Sequence, residues 1–245
     1  MEPDSALAPL ARLTVVVPVG PGDRLSPRLR EQLSRLPTGA QVVVVECEAG
    51  PFYERQSADV RGMPPVDAPT GPQWQVLHSP VGRSLQQNAG AAAGDRQWLW
   101  FLHADAALAP ETLPALARFV AEGRSALGYF DLRFLGDGPA LMRLNSAGVW
   151  LRSRVLRLPF GDQGFVLPRS LFTAAGGFDP ATNRGEDHQL VWRVRRAGAP
   201  VVAVGAPLHT SARRYAARGW AATTMRHVAE TLRQAWRFSR TEQPR

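Results

Sequence analysis

Lysine is absent from this chain, and cysteine occurs only once. The 29 basic residues are therefore all arginines, set against 21 acidic ones, for a formal net charge of +8. Such exclusive use of arginine is read first as a coding-composition bias. It still has a physical consequence, because the planar guanidinium fork suits phosphate better than an ammonium point charge does. The lone Cys47 excludes an intrachain disulfide and any cysteine-based metal cluster. Coming after four valines, it reads as a buried thiol. No apolar run is long enough to span a bilayer, and residues 1–12 lack the basic start and apolar core of a secretory leader. The expectation is a cytoplasmic protein, with peripheral contact at the inner face of a membrane as its variant. Internal repeats and low-complexity segments are also missing.

A sequence pI near 11.1 admits nucleic acid, an anionic membrane surface or a phosphorylated substrate as partner. Like charges do not form runs, apart from a basic bias after Arg213, which argues against a nucleic-acid tail. The interleaved aromatic and basic platform that holds single strands is likewise not there.

What is present reads as an α/β chain. With 245 residues, of which 44% are hydrophobic, it is long enough for one α/β domain with an ordinary core. After a loose lead-in at 1–12, the patterning predicts strands at 13–17, 41–46, 75–77 and 98–102, with helices at 26–36, 84–94 and 110–122. The stretch 50–72, rich in Pro, Gly and Asp, reads as a loop. The alternation of strands and helices predicts a parallel, doubly wound sheet in this half. Further on, strands are expected at 126–134, 164–167 and 201–204, and helices at 140–156, 169–175 and 186–197. A last amphipathic helix at 219–238 carries Trp220, Met225, Val228, Leu232 and Trp236 on one side.

The chemistry starts at Asp105, placed just after the apolar run Trp98-Leu99-Trp100-Phe101-Leu102. A carboxylate there lies at the carboxyl edge of the sheet, where open α/β sheets bind ligands, and is placed to hold a divalent metal with phosphates. Glu46 ends another strand and either contacts a nucleobase or simply faces solvent. Gly20-Pro21-Gly22 only hints at a dinucleotide fingerprint, since Leu25 stands where a third glycine belongs. Arg83 precedes a helix whose free N–H groups favour a pyrophosphate, and Asn88 follows on that helix. The small residues Gly90 to Gly94 suit close packing on the sheet. Glu186 and Asp187 open a helix, either as caps or as a general base beside the positive dipole end. His103 and His209 are candidate extra metal ligands, although a hydrogen-bonded structural role fits both better.

Gly82-Arg83-Ser84 through Asn88-Ala89-Gly90, followed by Phe101-Leu102-His103-Ala104-Asp105, resembles the donor-binding half of bacterial family 2 glycosyltransferases. The similarity is closer to their arsenosugar-biosynthesis branch, through Phe160-Gly161-Asp162-Gln163-Gly164, Gly176-Gly177-Phe178, Glu186-Asp187 and Ser211-Ala212-Arg213-Arg214. These motifs stand in family order and cover most of the chain from Leu13 to Gly219.

The resemblance implies a GT-A fold with a mixed, mainly parallel sheet flanked by helices. It divides the chain into a lead-in at 1–12, one domain at 13–218 (nucleotide-binding half 13–125, acceptor half 126–218), and a helix with tail at 219–245. The implied activity is inverting, metal-dependent transfer of a sugar from a nucleotide-diphospho-sugar to an unidentified, or lipid-linked, acceptor hydroxyl. Asp105 would hold Mg or Mn, and Asp187, with Glu186 as fallback, would be the general base. Glu46, Arg83, Asn88, Arg213 and Arg214 would bind the donor, and Asp162 and Gln163 the donor sugar or acceptor. Helix 219–238 would meet a membrane or a second copy of the chain. Glu46 followed by Cys47-Glu48-Ala49 departs from the family's Asp and Gly/Ser-rich turn, and Ala106 replaces a hydroxyl residue. The departure at Glu46 leaves a second reading, a catalytically degenerate GT-A-like nucleotide-sugar-binding protein.

Overall fold

The computed structural model describes residues 6–47, 71–139, 141–182 and 185–212, with 224–225, 229–231, 233–234 and 236. Arg213, Arg214, nearly all of the expected loop 50–72 and much of the expected helix 219–238 lie outside the described residues.

Eight strands form one sheet: β1 (Leu13–Val19), β2 (Gln41–Cys47), β3 (Gln73–Ser79), β4 (Trp98–Phe101), β5 (Ala107–Leu108), β6 (Leu127–Phe134), β7 (Val166–Pro168) and β8 (Val201–Thr210). Their order is β3-β2-β1-β4-β7-β6-β8-β5. The pairs β3–β2, β2–β1, β1–β4 and β6–β8 are parallel, whereas β7 runs against β4 and β6, and β5 against β8. The sheet is thus mixed and mainly parallel. The helices are α1 (Pro27–Leu33), α2 (Arg83–Ala93), α3 (Thr112–Glu122), α4 (Met142–Val155), α5 (Arg169–Ala174) and α6 (Glu186–Arg196).

The continuous apolar runs are explained by burial on both faces of the sheet. Val15, Val17, Val42, Val44, Trp98 and Trp100 point into one core with α1 and α3. Their neighbours Val16, Val43, Val45, Leu99 and Phe101 point into the other, against α2, α5 and α6. Two glycines bring α2 close to the sheet: a Cβ on Gly90 would stand 2.4 Å from Val16 Cγ1. A Cβ on Gly94 would meet Thr14 Cγ2, again too close for a real contact.

Three expectations need correction. Residues 8–12, read as loose, form a 3-10 helix (Ala8–Arg12) because Leu10 is fully buried in the first core. Strand β1 continues through Pro18 to Val19. Val16 C=O accepts from Leu102 N–H on the β4 side, and Pro18, two residues on, faces the same way beyond the end of β4. Its missing N–H therefore costs the ladder nothing. Strand β8, expected at 201–204, runs to Thr210. Gly205, at φ +85°, sits in a bulge where the pairing steps from Tyr129↔Ala203 to Asp131↔Pro207.

Strand directions decide where the site lies. The carboxyl ends of β1 to β4 share one edge, and the reversed β7 brings the turn before it, 160–165, to that same edge. The reversed β5 does likewise for the turn before Ala107, opposite the carboxyl end of β8. Among the described residues, no helix is long and apolar enough to cross a membrane.

Candidate active site

Asp105 sits in a turn closed by the Ala106 N–H donating to His103 C=O at 3.0 Å. Ala104 C=O accepts from Ser26 N–H at 2.9 Å, which ties the turn to the start of α1. Beyond it, the Gln32 amide bonds both the N–H and the C=O of Leu108, at 2.8 and 2.7 Å, and fixes β5. Asp105 is thereby held half-buried at the sheet edge.

Asp162 lies in a 3-10 turn, Gly161–Gln163. Gln163 is buried, and its amide is used internally: Nε2 donates to Phe130 C=O at 2.9 Å. Its Oε1 accepts from Ser153 Oγ at 2.8 Å, Phe160 N–H at 3.1 Å and Arg152 at 3.2 Å. Gln163 therefore acts by positioning the turn rather than by facing an open site. Asp162 Oδ1 is buried with no hydrogen-bond partner among the described residues. Burial pushes its carboxyl up to about 6, opposed by Arg152 and Arg83 and reinforced by Asp187 and Asp105. The field at Asp162 thus comes from two arginines and two carboxylates of four different chain segments.

The acidic pair opens α6 behind Gly185, which has φ +85°. Asp187 Oδ2 accepts the Gly161 N–H at 2.6 Å, and Oδ1 accepts the His188 N–H at 2.8 Å. One oxygen caps its own helix while the other is joined to the Asp162 turn. Glu186 is buried and stands 3.8 Å from Arg83 Nη1. Burial raises its pKa, the Asp187 charge adds to the rise, and Arg83 opposes it. A small cleft of about 120 Å³ lies between Gly82–Leu85 on one side and Pro180, Thr182 and Glu186 on the other. A larger hollow of about 480 Å³, lined by Arg12, Asp95 and Arg96, holds none of the expected site residues.

Asn88 lies on the inner side of α2 and grips the backbone of Phe178, donating to its C=O at 2.7 Å and accepting its N–H at 3.0 Å. It joins the two halves of the chain. Glu46 stands at the same sheet edge, two strands from Asp105, with its Oε2 3.6 Å from His78 Nε2. His209 pairs opposite Ala107 in β8, and burial lowers its pKa. Among the described residues, no group of three His, Cys, Asp or Glu side chains is arranged to hold a metal alone. Asp105, half-buried at the sheet edge, offers a hard oxygen ligand of the kind Mg or Mn takes.

Two contributors were not expected. Arg152 of α4 lies 3.7 Å over the Phe160 ring and faces Asp162. Gln234 reaches the start of α6, beside His188, and stands where a Cβ on Gly185 would be. An arginine next to the inward Ser153 was the available signal for the first. For Gln234 the sequence holds none.

A mainly parallel sheet with an acidic turn after β4 and a reversed β7 feeding a second acidic turn to the same edge defines the GT-A fold. Residues 67–179 match the family described as glycosyl transferase family 2, a region that includes Arg83, Asn88, Asp105, Asp162 and Gln163. Among solved structures, the chain is similar to S. aureus TarS 1-349, with TM-score 0.58 and 14% identity over 81% of this chain and 60% of that one. The same protein in complex with UDP-GlcNAc gives TM-score 0.58 and 16% identity over 81% of this chain and 58% of that one. The chain thus spans less than two thirds of these TarS structures. No curated protein matches it.

Proposed function

We propose that the chain is an inverting glycosyltransferase that moves a sugar from a nucleotide-diphospho-sugar to an acceptor hydroxyl. The observation that carries the reading is the convergence of Arg83, Asp105, Asp162, Glu186 and Asp187 on one sheet edge. Arg83, at the start of α2, suits a diphosphate, where its guanidinium and the free helix N–H groups act together. Asp105 is the residue to hold Mg or Mn with that diphosphate. When bound, the ion supplies charge stabilisation to the leaving group. Asp187 is oriented by two backbone N–H groups and half-open, which suits a general base for the acceptor hydroxyl. Glu186 is buried against Arg83 and suits tuning of that cation.

Asp162 offers an unpaired buried oxygen to a hydroxyl of the sugar or acceptor. Placement in the arsenosugar-biosynthesis branch rests on the motifs around Asp162, Gly177 and Ser211 and belongs to the same proposal. The fold neighbour TarS, solved with UDP-GlcNAc and with UDP, supports a nucleotide-sugar donor.

The test measures donor hydrolysis and transfer with nucleotide sugars in Mg or Mn. Asp105→Asn is expected to remove metal-dependent donor turnover. Asp187→Asn should lower kcat by about 10²–10³ while donor binding persists. Retained metal-dependent hydrolysis in Asp105→Asn would overturn the assignment. Tight donor binding with no turnover in the wild type would instead favour a degenerate binding protein.

A further inference from the structure

The helix α4 has two unlike sides. Its inner side holds the site: Arg152 and Ser153 bond Gln163, beneath the Asp162 turn. Its outer side is apolar. Leu144, Leu151 and Val155 follow helical spacing of seven and four residues and so share one stripe, with Ala147 and Gly148 between them. Leu141 and Leu156 flank the helix, and Trp150 stands beside the stripe. These six large residues are between 46% and 63% exposed. Soluble proteins seldom leave so many large apolar side chains together in water without a partner for them.

Charge selects the partner. From 138 to 161 there is no acidic residue, but there are four arginines. Of the arginines near the stripe, Arg154 is paired with Asp131 and Arg152 faces inward, while Arg157 is exposed just past the helix end. A second copy fits this face poorly, because a two-fold contact sets the same surface, with its excess of arginine, against itself. An apolar stripe with tryptophan beside it, no acidic residue from 138 to 161 and the exposed Arg157 at its end matches an anionic lipid surface, with leucines entering the acyl boundary and the arginine at the headgroups.

We propose that the outer face of α4, from Leu141 to Leu156, docks on an anionic lipid bilayer. The contact lies on the opposite side of the helix from Ser153, with Arg152 at its margin. It would therefore bring the Asp162 turn to within a helix diameter of the membrane without covering it. This assignment differs from docking through 219–238, and it stands whether or not the proposed sugar transfer is correct.

The experiment is vesicle flotation of the full chain. One set of vesicles is phosphatidylcholine alone, and the other is phosphatidylcholine mixed with phosphatidylglycerol. Wild type is expected to float with the anionic vesicles only, and to be released as salt rises. The triple variant Leu144→Gln, Leu151→Gln, Val155→Gln should bind about tenfold or more weakly, with an unchanged circular dichroism melt. Should the triple variant fail to fold, Leu151→Gln alone serves, with a smaller loss in the same direction. Failure of the wild type to float at low salt would overturn the proposal, as would equal flotation of the folded variant. A dimer in light scattering that the variant dissociates, with no vesicle binding, would assign the face to a second copy instead.

Discussion

Asp162 carries the most telling electrostatics. A carboxyl raised from 3.8 to about 6 by burial holds its proton in the native chain at pH values where the unfolded chain has released it. The native state then binds more protons between those two values, so stability falls as pH rises through that window and stays lower above it. The size of the effect is about 3 kcal/mol at most. Asp162→Asn removes the charge and keeps the shape. Its unfolding free energy is expected to match wild type near pH 4 and exceed it at pH 7 by up to about 3 kcal/mol. Urea unfolding of both proteins across that range checks this, and parallel profiles would remove the buried carboxylate from the account. A residue that costs stability in this way fits a site held for chemistry rather than for folding.

Packing of α2 on the sheet gives a second expectation, in which one substitution has two signs. In Gly90→Ala the new Cβ meets Val16 Cγ1 at 2.4 Å and Val45 Cγ2 at 2.9 Å. The overpacking cost of about 1–3 kcal/mol exceeds the gain of up to about 1 kcal/mol in helix propensity. In Gly148→Ala, on the exposed side of α4, a Cβ meets nothing within 4 Å. There the gain of about 0.5–1 kcal/mol stands alone. Urea midpoints at constant m-value should fall for the first and rise for the second.

The same elements show what sequence reading reaches. Strands β1, β2 and β4 were legible because burial on both faces leaves an unbroken apolar run. So was the close approach of α2, through its small residues. The two-residue β5 was not, since only pairing with β8 and the Gln32 clasp define it. The length of β8 was not legible, because pairing with β6 on both sides of the bulge at Gly205 carries the strand on to Thr210. Motifs named Arg83, Asp105, Asp162 and Asp187, yet the Arg83–Glu186 and Gly161–Asp187 contacts join segments that no spacing rule connects. Arg152 was passed over because its helix shows its apolar residues on the outside.

Across the molecule, the site is an edge assembled from both halves of the chain. β3 and β4 supply Arg83 and Asp105, while the approach to β7 and the start of α6 supply Asp162 and Asp187. Two contacts clamp those halves together, Asn88 on Phe178 and Arg83 on Glu186. A donor that touches Arg83 and Asp105 on one side and Asp162 on the other should therefore stabilise the whole fold, not one lobe. Ligand at a hundredfold over Kd adds about 2.7 kcal/mol. For a chain of this size that corresponds to a rise in Tm of about 5–10 °C. The rise with a UDP-, GDP- or dTDP-sugar should depend on Mg or Mn, because the proposed ion would offset the repulsion between a diphosphate and Asp105. Chelation should return Tm to that of the free protein. In Asp105→Asn the repulsion is absent, so the residual donor shift should be smaller and no longer depend on the ion. A donor shift in the wild type that ignored chelation would place the diphosphate on the arginines alone and remove the ion from the site.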